Sequence, residues 1–180
     1  MRIVAALIAG IATWSLLEYA IHRWLGHDQR FIRNPFGVEH TAHHSRGNYF
    51  APAWKKALVA GGALLLLSWL AAMLIGSRAG IAYSIGLVGF YLYYELFHRL
   101  AHIHPGYTSA GRWLRRHHFH HHFHDPRSNH GVTSPLWDHA FGTIARPGMI
   151  AVPRKLAMDW LTDPATGALK REHADRYSLR

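Results

Sequence analysis

The sequence predicts an all-α fold: an integral-membrane helical bundle of about three transmembrane helices with a histidine-rich helical cap on the cytoplasmic side. Three observations predict it. Apolar residues gather in three blocks instead of at amphipathic spacing. The basic residues lie overwhelmingly on one side of those blocks. Ten of the 17 histidines fall into four short clusters that follow or separate them.

The first block, residues 3–21, carries only Glu18; the second, 57–75, has no charge; the third, 79–97, carries only Glu95. About 20 apolar residues span a bilayer, so each block is long enough. Arg2, the apolar run after it and small residues near Ala9 and Ala12 also resemble a signal peptide. Cleavage there would truncate the span that carries His22, so the block is read as a retained helix ending near Leu25. Ser77-Arg78-Ala79-Gly80 reads as a tight turn that makes the second and third spans an antiparallel hairpin. Residues 1–146 form the membrane di-metal domain in this reading. Residues 147–180 form a polar, proline-broken cytoplasmic tail with one short amphipathic helix around residues 155–161.

Orientation follows from Lys and Arg, which favour the cytoplasmic side. Arg23, Arg30, Arg33, Arg46, Lys55 and Lys56 lie between the first two blocks, and twelve more follow His98, against Arg2 and Arg78 on the opposite face. All four histidine clusters therefore belong in the cytoplasm, and an odd number of spans puts the N-terminus on the far side. The net charge of +10 flanks hydrophobic spans, where anionic headgroups are its natural partner, and nucleic acid is excluded. The absence of cysteine excludes disulfides, Cys-type zinc sites and iron–sulfur clusters.

The clusters are His22-x4-His27, His40-x2-His43-His44, His98-x3-His102 and His118-x2-His121-His122. Neutral imidazole is a common ligand for iron, zinc and copper, and ten suit two ions with five each, leaving a position at each for O2 or water. On an α-helix, i, i+3 and i+4 share a face, so each triplet offers three ligands and His98 and His102 also align. His22 and His27 are i, i+5 and need the helix to loosen, for which Gly26 is suitably placed. One histidine alone is usually a surface or core residue, and the 117–124 tract alone could be an unspecific metal-binding run. The same spacing upstream at His40, where no tract exists, argues for a built site. Glu18 and Glu95 precede His22 and His98 by four and three residues inside apolar blocks, where an unpaired carboxylate is costly. Each is expected to accept the free N–H of a ligand imidazole; the bland alternative is that each reaches the headgroup region.

An all-imidazole pair of metals beside lipid suits redox attack on a poorly reactive C–H bond. Catalytic zinc usually needs three protein ligands and serves hydrolysis, so iron is the expected native metal and zinc a substitute during overproduction.

Residues 14–23 (WSLLEYAIHR), 39–44 (EHTAHH), 114–123 (LRRHHFHHHF) and 131–143 (GVTSPLWDHAFGT) carry a family likeness. Over roughly residues 10–145 the chain resembles the fatty acid hydroxylase and sterol desaturase superfamily of membrane di-iron oxygenases, most of all its fatty acid 2-hydroxylase branch. The resemblance implies two irons on the ten histidines, a lipid substrate, O2 as oxidant and two electrons from outside. It also implies that Trp137 and Asp138 shape the wall of the site, with Asp138 as an acceptor behind a ligand. The sequence contains no fused cytochrome b5 domain and lacks the extra span of the eukaryotic hydroxylases, so a separate ferredoxin or cytochrome b5-like donor is expected. Its expected dock is a basic face of Arg112, Arg115 and Arg116. The competing readings are a carotenoid ring hydroxylase or lipid desaturase and, from another class, a membrane protein that binds or senses metal without catalysis.

Overall fold

A computed structural model describes every residue except Gln29 and Ile32. Its helices are α1 (Arg2–Ala20), continued by a π-helical segment (Ile21–His27), α2 (Pro35–Ser45), α3 (Ala53–Ile75), α4 (Ser77–Ile103), α5 (Ser109–Phe123) and α6 (Leu136–Ala140). Two short strands, β1 (Ile150–Val152) and β2 (Tyr177–Leu179), pair in parallel. The chain divides into two compact units, Met1–Glu18 with Ala51–Leu96, and Tyr19–Phe50 with Phe97–Arg180.

In the first unit, Trp14 of α1, Leu64 of α3 and Leu87 of α4 form a small core, with the Trp14 ring 4.7 Å from Tyr91 and 5.8 Å from Tyr94. Glycine sets the approach of α1 to α4. A Cβ on Gly10 would lie 2.0 Å from the Tyr83 carbonyl oxygen, and one on Gly86 2.1 Å from that of Leu7, so only glycine allows backbones this close. Most of α3 instead turns outward: Leu58, Leu65, Leu66, Trp69, Met73 and Leu74 are exposed. A helix apolar on every face with so little of it covered is built for lipid.

Two helical stretches, Arg2–His27 and Ala53–Ile75, are long and apolar enough to cross a membrane. The third expected span, α4, has the length at 27 residues, but four tyrosines and Glu95 dilute its apolar character and it does not join them. Lys56 donates to the Glu95 carboxylate in an ion pair. The hairpin turn falls one residue earlier than expected. Gly76, at φ +84° and ψ 155°, takes an extended positive-φ conformation open essentially to glycine and ends α3, and residues 77–80 already form the first turn of α4.

The second unit has its own core, in which Phe119 of α5 meets Ile150, Val152, Met158, Trp160, Leu161 and Tyr177. Six of these seven residues come from the segment expected as a polar tail. Its apolar residues are too widely spaced to form a stripe that periodicity would reveal, yet they converge on α5. The helix expected around residues 155–161 is a short 3₁₀ turn, Arg154–Leu156, after Pro153.

Candidate metal centre

The N-terminal histidine pair depends on a change of helix type. A π-helix repeats its hydrogen bonds at i, i+5, so His22 and His27 share a face that an α-helix would deny them. Gly26 fits here for a second reason: a Cβ would lie 2.9 Å from Cδ2 of His40, and its absence admits that ring. Asn34 caps α2 by accepting from Gly37 N–H, and Pro35 starts the helix that carries His40, His43 and His44. Thr108 caps α5 in the same way, and the last turns of α4 carry His98 and His102.

The ten histidines assemble into two groups of five: His22, His27, His40, His44 and His121 in one, and His43, His98, His102, His118 and His122 in the other. In each group the potential ligand nitrogens all lie within 4.8 Å of one another. Neither triplet serves one group alone. α2 sends His40 and His44 to the first and His43 to the second, while α5 sends His121 to the first and His118 and His122 to the second. The groups are adjacent, with the rings of His44 and His122 stacked 3.9 Å apart.

The nitrogens fit a cation. Nε2 of His27 lies 2.8 Å from Nε2 of both His40 and His121; the His43–His98 and His102–His118 pairs stand at 2.9 and 3.1 Å. Ligands about 2.0–2.1 Å from an ion and at right angles are separated by about 2.8–3.0 Å. Backbone carbonyls only accept, so they dictate the tautomers. Nδ1–H of His22 donates to His130 O at 2.5 Å, that of His43 to Tyr49 O at 2.7 Å and that of His121 to Ser128 O at 2.7 Å, which leaves a lone pair on each Nε2. His27 Nε2 carries at most one proton and faces two such nitrogens. Buried Nε2 atoms of His22, His44 and His122 have no hydrogen-bond partner among the described residues. Burial first, and neighbouring imidazoles second, push His40, His44, His118, His121 and His122 well below the usual histidine value, holding them neutral as metal ligation requires.

A loop sets those carbonyls. Asn129 adopts φ +58° between Ser128 and His130, and its side chain donates to His117 O and Ala145 O and accepts from Ala145 N–H at 2.7 Å. Asp138, fully buried on α6, accepts from the backbone N–H groups of His130 and Gly131 at 2.8 Å, from Thr143 Oγ1 at 2.7 Å and from His117 Nε2 at 3.1 Å. Burial pushes its carboxyl up, but the hydrogen bonds from His117, Thr143 and Gly131 outweigh this and hold it below the usual carboxylate value. The chain of donors continues outward, because Thr143 Oγ1, which gives its own proton's hydrogen bond to Asp138, accepts one from the Tyr19 hydroxyl, and Arg23 donates to Tyr19.

Asp138 therefore contacts His117, which lies outside both groups, and reaches the first group through the His130 backbone. Glu18 is buried, and Glu95 is engaged by Lys56. Sequence reasoning missed Tyr49, Ser128 and His130, which act through main-chain oxygens and leave no side-chain motif. The expected basic dock needs correction: Arg115 is buried, donating to Ala101 O and Leu100 O with its guanidinium over the Trp160 ring, and offers nothing to a protein partner.

A family model described as fatty acid hydroxylase matches residues 7–143. The chain belongs to the fatty acid hydroxylase family. Among similar proteins in that family, a ceramide very long chain fatty acid hydroxylase (scs7) of Schizosaccharomyces pombe is 34% identical over 143 residues, which cover 76% of this chain and 41% of that protein. A dihydroceramide fatty acyl 2-hydroxylase (FAH2) of Arabidopsis thaliana is 30% identical over 81% of this chain and 62% of its own length. The fatty acid 2-hydroxylase of Homo sapiens is 31% identical over 75% and 38%. A solved structure described as full-length scs7p with only the hydroxylase domain visible superposes with a TM-score of 0.60 at 25% identity, covering 80% of this chain and 58% of the other. The chain thus spans about two fifths to three fifths of the length of these curated family members.

Proposed function

We propose that this chain is a membrane di-iron oxygenase that hydroxylates a C–H bond of a lipid with O2 and two external electrons. The observation that carries the reading is the pair of five-imidazole groups, each with its potential ligand nitrogens within 4.8 Å of one another, in a chain of the fatty acid hydroxylase family. Iron held there would activate O2 and supply the oxidising strength that hydrogen abstraction from an aliphatic carbon demands, beyond any side-chain acid or base. Zinc, which binds nitrogen sites more tightly, is the expected substitute on overproduction.

The protein's own part is positional. Five imidazoles per ion leave a place for a non-protein ligand. The carbonyls of Tyr49, Ser128 and His130 hold the Nδ1 protons of His43, His121 and His22, so those rings can neither turn nor change tautomer without losing a buried hydrogen bond. Asp138 holds the His130 end of that frame, and Glu18 and Glu95 are proposed to accept the free N–H of a ligand imidazole. The curated relatives named above are, by their names, hydroxylases of ceramide fatty acids, of dihydroceramide fatty acyl groups and of fatty acids, which favours an acyl chain over a carotenoid ring. Positive-inside counting favours a centre on the cytoplasmic side, α4 as the third span, and a separate ferredoxin or cytochrome b5-like donor that meets it there.

Comparative lipid mass spectrometry of cells with and without the chain tests the reading, together with metal analysis and O2 uptake in reductant-fed membranes. About two irons per chain, lipid-dependent O2 uptake and a hydroxylated acyl product are expected. Bound metal with neither uptake nor product would make the chain a metal-binding or sensing protein instead, and an alkene product would make it a desaturase.

A further inference from the structure

A second site lies apart from the ten histidines, where α5 meets the C-terminal segment. A cavity of about 310 Å³ is lined by Arg112 and Arg116, one turn apart on α5, by Glu172, His173, Arg176 and Tyr177, and by Gly106 of the loop after α4. That volume sits at the small end of ligand clefts, about 300–1,000 Å³. Around it are buried guanidinium donors with no acceptor among the described residues, Arg116 Nε and Arg115 Nη1. The last of these lies where a Cβ on Gly106 would be only 2.2 Å away, so glycine at 106 leaves the guanidinium room beside the cavity wall. Buried donors in native proteins nearly always have partners, and a charged one left without is costlier still.

Main-chain carbonyls hold the three cavity arginines in place, and Arg176 also pairs with the Asp175 carboxylate. Arg112 Nη1 donates to Tyr107 O, Arg116 Nη2 to Pro147 O and Gly148 O, and Arg176 Nη2 to Glu172 O, all uncharged acceptors. Two carboxylates stand close: Glu172, in the cavity wall and 3.4 Å from His173 Nε2, has a side chain 72% exposed, and that of Asp175, 2.9 Å from Arg176, is 68% exposed, so solvent screens both. Three fixed guanidiniums around a pocket of this size match a group with several anionic oxygens, for which Arg is the preferred partner. We propose that this cavity binds a phosphate group, supplied by a phospholipid headgroup or by a free phosphate compound. Its wall is tied to the second histidine group, since the indole of Trp160, which also lines the cavity, donates to His102 O.

Titration calorimetry on the full chain in neutral detergent, at fixed ionic strength, tests this with inorganic phosphate and dihexanoyl phosphatidic acid. One saturable site per chain is expected, weakened about tenfold or more by Arg112→Gln or Arg176→Gln, in keeping with one charge-assisted hydrogen bond. Arg154→Gln, outside the cavity, should bind as the wild type does, and retained metal content verifies that each variant is folded. Phosphatidic acid binding at least about tenfold tighter than phosphate would assign the site to a headgroup; equal affinities would assign it to a free phosphate compound. The proposal is overturned if neither probe saturates a site, or if folded Arg112→Gln and Arg176→Gln variants bind both probes as the wild type does.

Discussion

Asn129 carries much of the centre's geometry without approaching a metal nitrogen itself. It holds a backbone conformation that few non-glycine residues adopt, between the two carbonyls that orient His121 and His22. Asn129→Ala removes three side-chain hydrogen bonds and should cost about 1–3 kcal/mol in unfolding free energy. Metal affinity should fall about 10–100-fold, read by competition with a chelator. Asn129→Gly, which keeps the backbone freedom, should lie between the alanine variant and the wild type; equal metal affinity in all three would show that the loop does not orient the ligands. His43→Ala and His121→Ala should each lose metal from one group and all product formation, whereas His173→Ala should keep its metal, by elemental analysis. Asp138 adds a pH dependence. Its carboxyl is held below its unfolded value, so its stabilisation is present above the ordinary carboxylate range near pH 4 and is lost as pH falls through its depressed folded value. Asp138→Asn should lower stability at neutral pH and flatten the acid limb of the stability curve; an unchanged limb would assign that limb to other groups.

At the scale of elements, the π-helical segment couples helix geometry to the number of histidines in the first group. The insertion of one residue per turn brings His27 onto the face of His22, and Gly26 leaves room for the His40 ring in the same stroke. Gly26→Val should push His40 away and lower metal content from about two per chain toward one, while the helical circular dichroism stays near that of the wild type. Full metal content in that variant would show that α2 can shift to accommodate the side chain. α5 is the other element on which much converges. One face sends histidines to both groups, Phe119 joins the core built by residues 150–177, and Arg112 and Arg116 line the cavity. No such burden is placed on α3, which presents an apolar surface on nearly every side.

For the whole molecule, the consequential expectation is orientation. The absence of native cysteine makes single-cysteine labelling clean. Ser77 and Ala165 are both exposed, so accessibility to a membrane-impermeant thiol reagent reports the side of the membrane and not burial. In intact cells Ser77→Cys should label and Ala165→Cys should not. The reverse pattern would overturn the cytoplasmic placement of the centre, and labelling of both at equal rates would remove α4 from the set of spans.

What the sequence determined by itself was chemistry with a short-range signature. Spacings of three and four mark histidines that share a helical face, the unusual spacing of five with Gly26 marks a loosened helix, and charge-free runs mark lipid-facing segments; each is a property of local periodicity. The choice of the ten histidines and the helical class were legible for that reason. Tertiary structure alone decided how each triplet divides between the two groups, because α2 and α5 each run past both groups, and the division depends on where the π-segment and the end of α4 place the remaining rings. It also decided that the carbonyls of Tyr49, Ser128 and His130 orient the His43, His121 and His22 rings, since a carbonyl oxygen is present at every position and its direction follows from backbone conformation. The burial of Arg115 and the phosphate-sized cavity were equally hidden, because residues 147–180 carry their apolar side chains without a period, and only their convergence on α5 turns a run of surface-like residues into a wall.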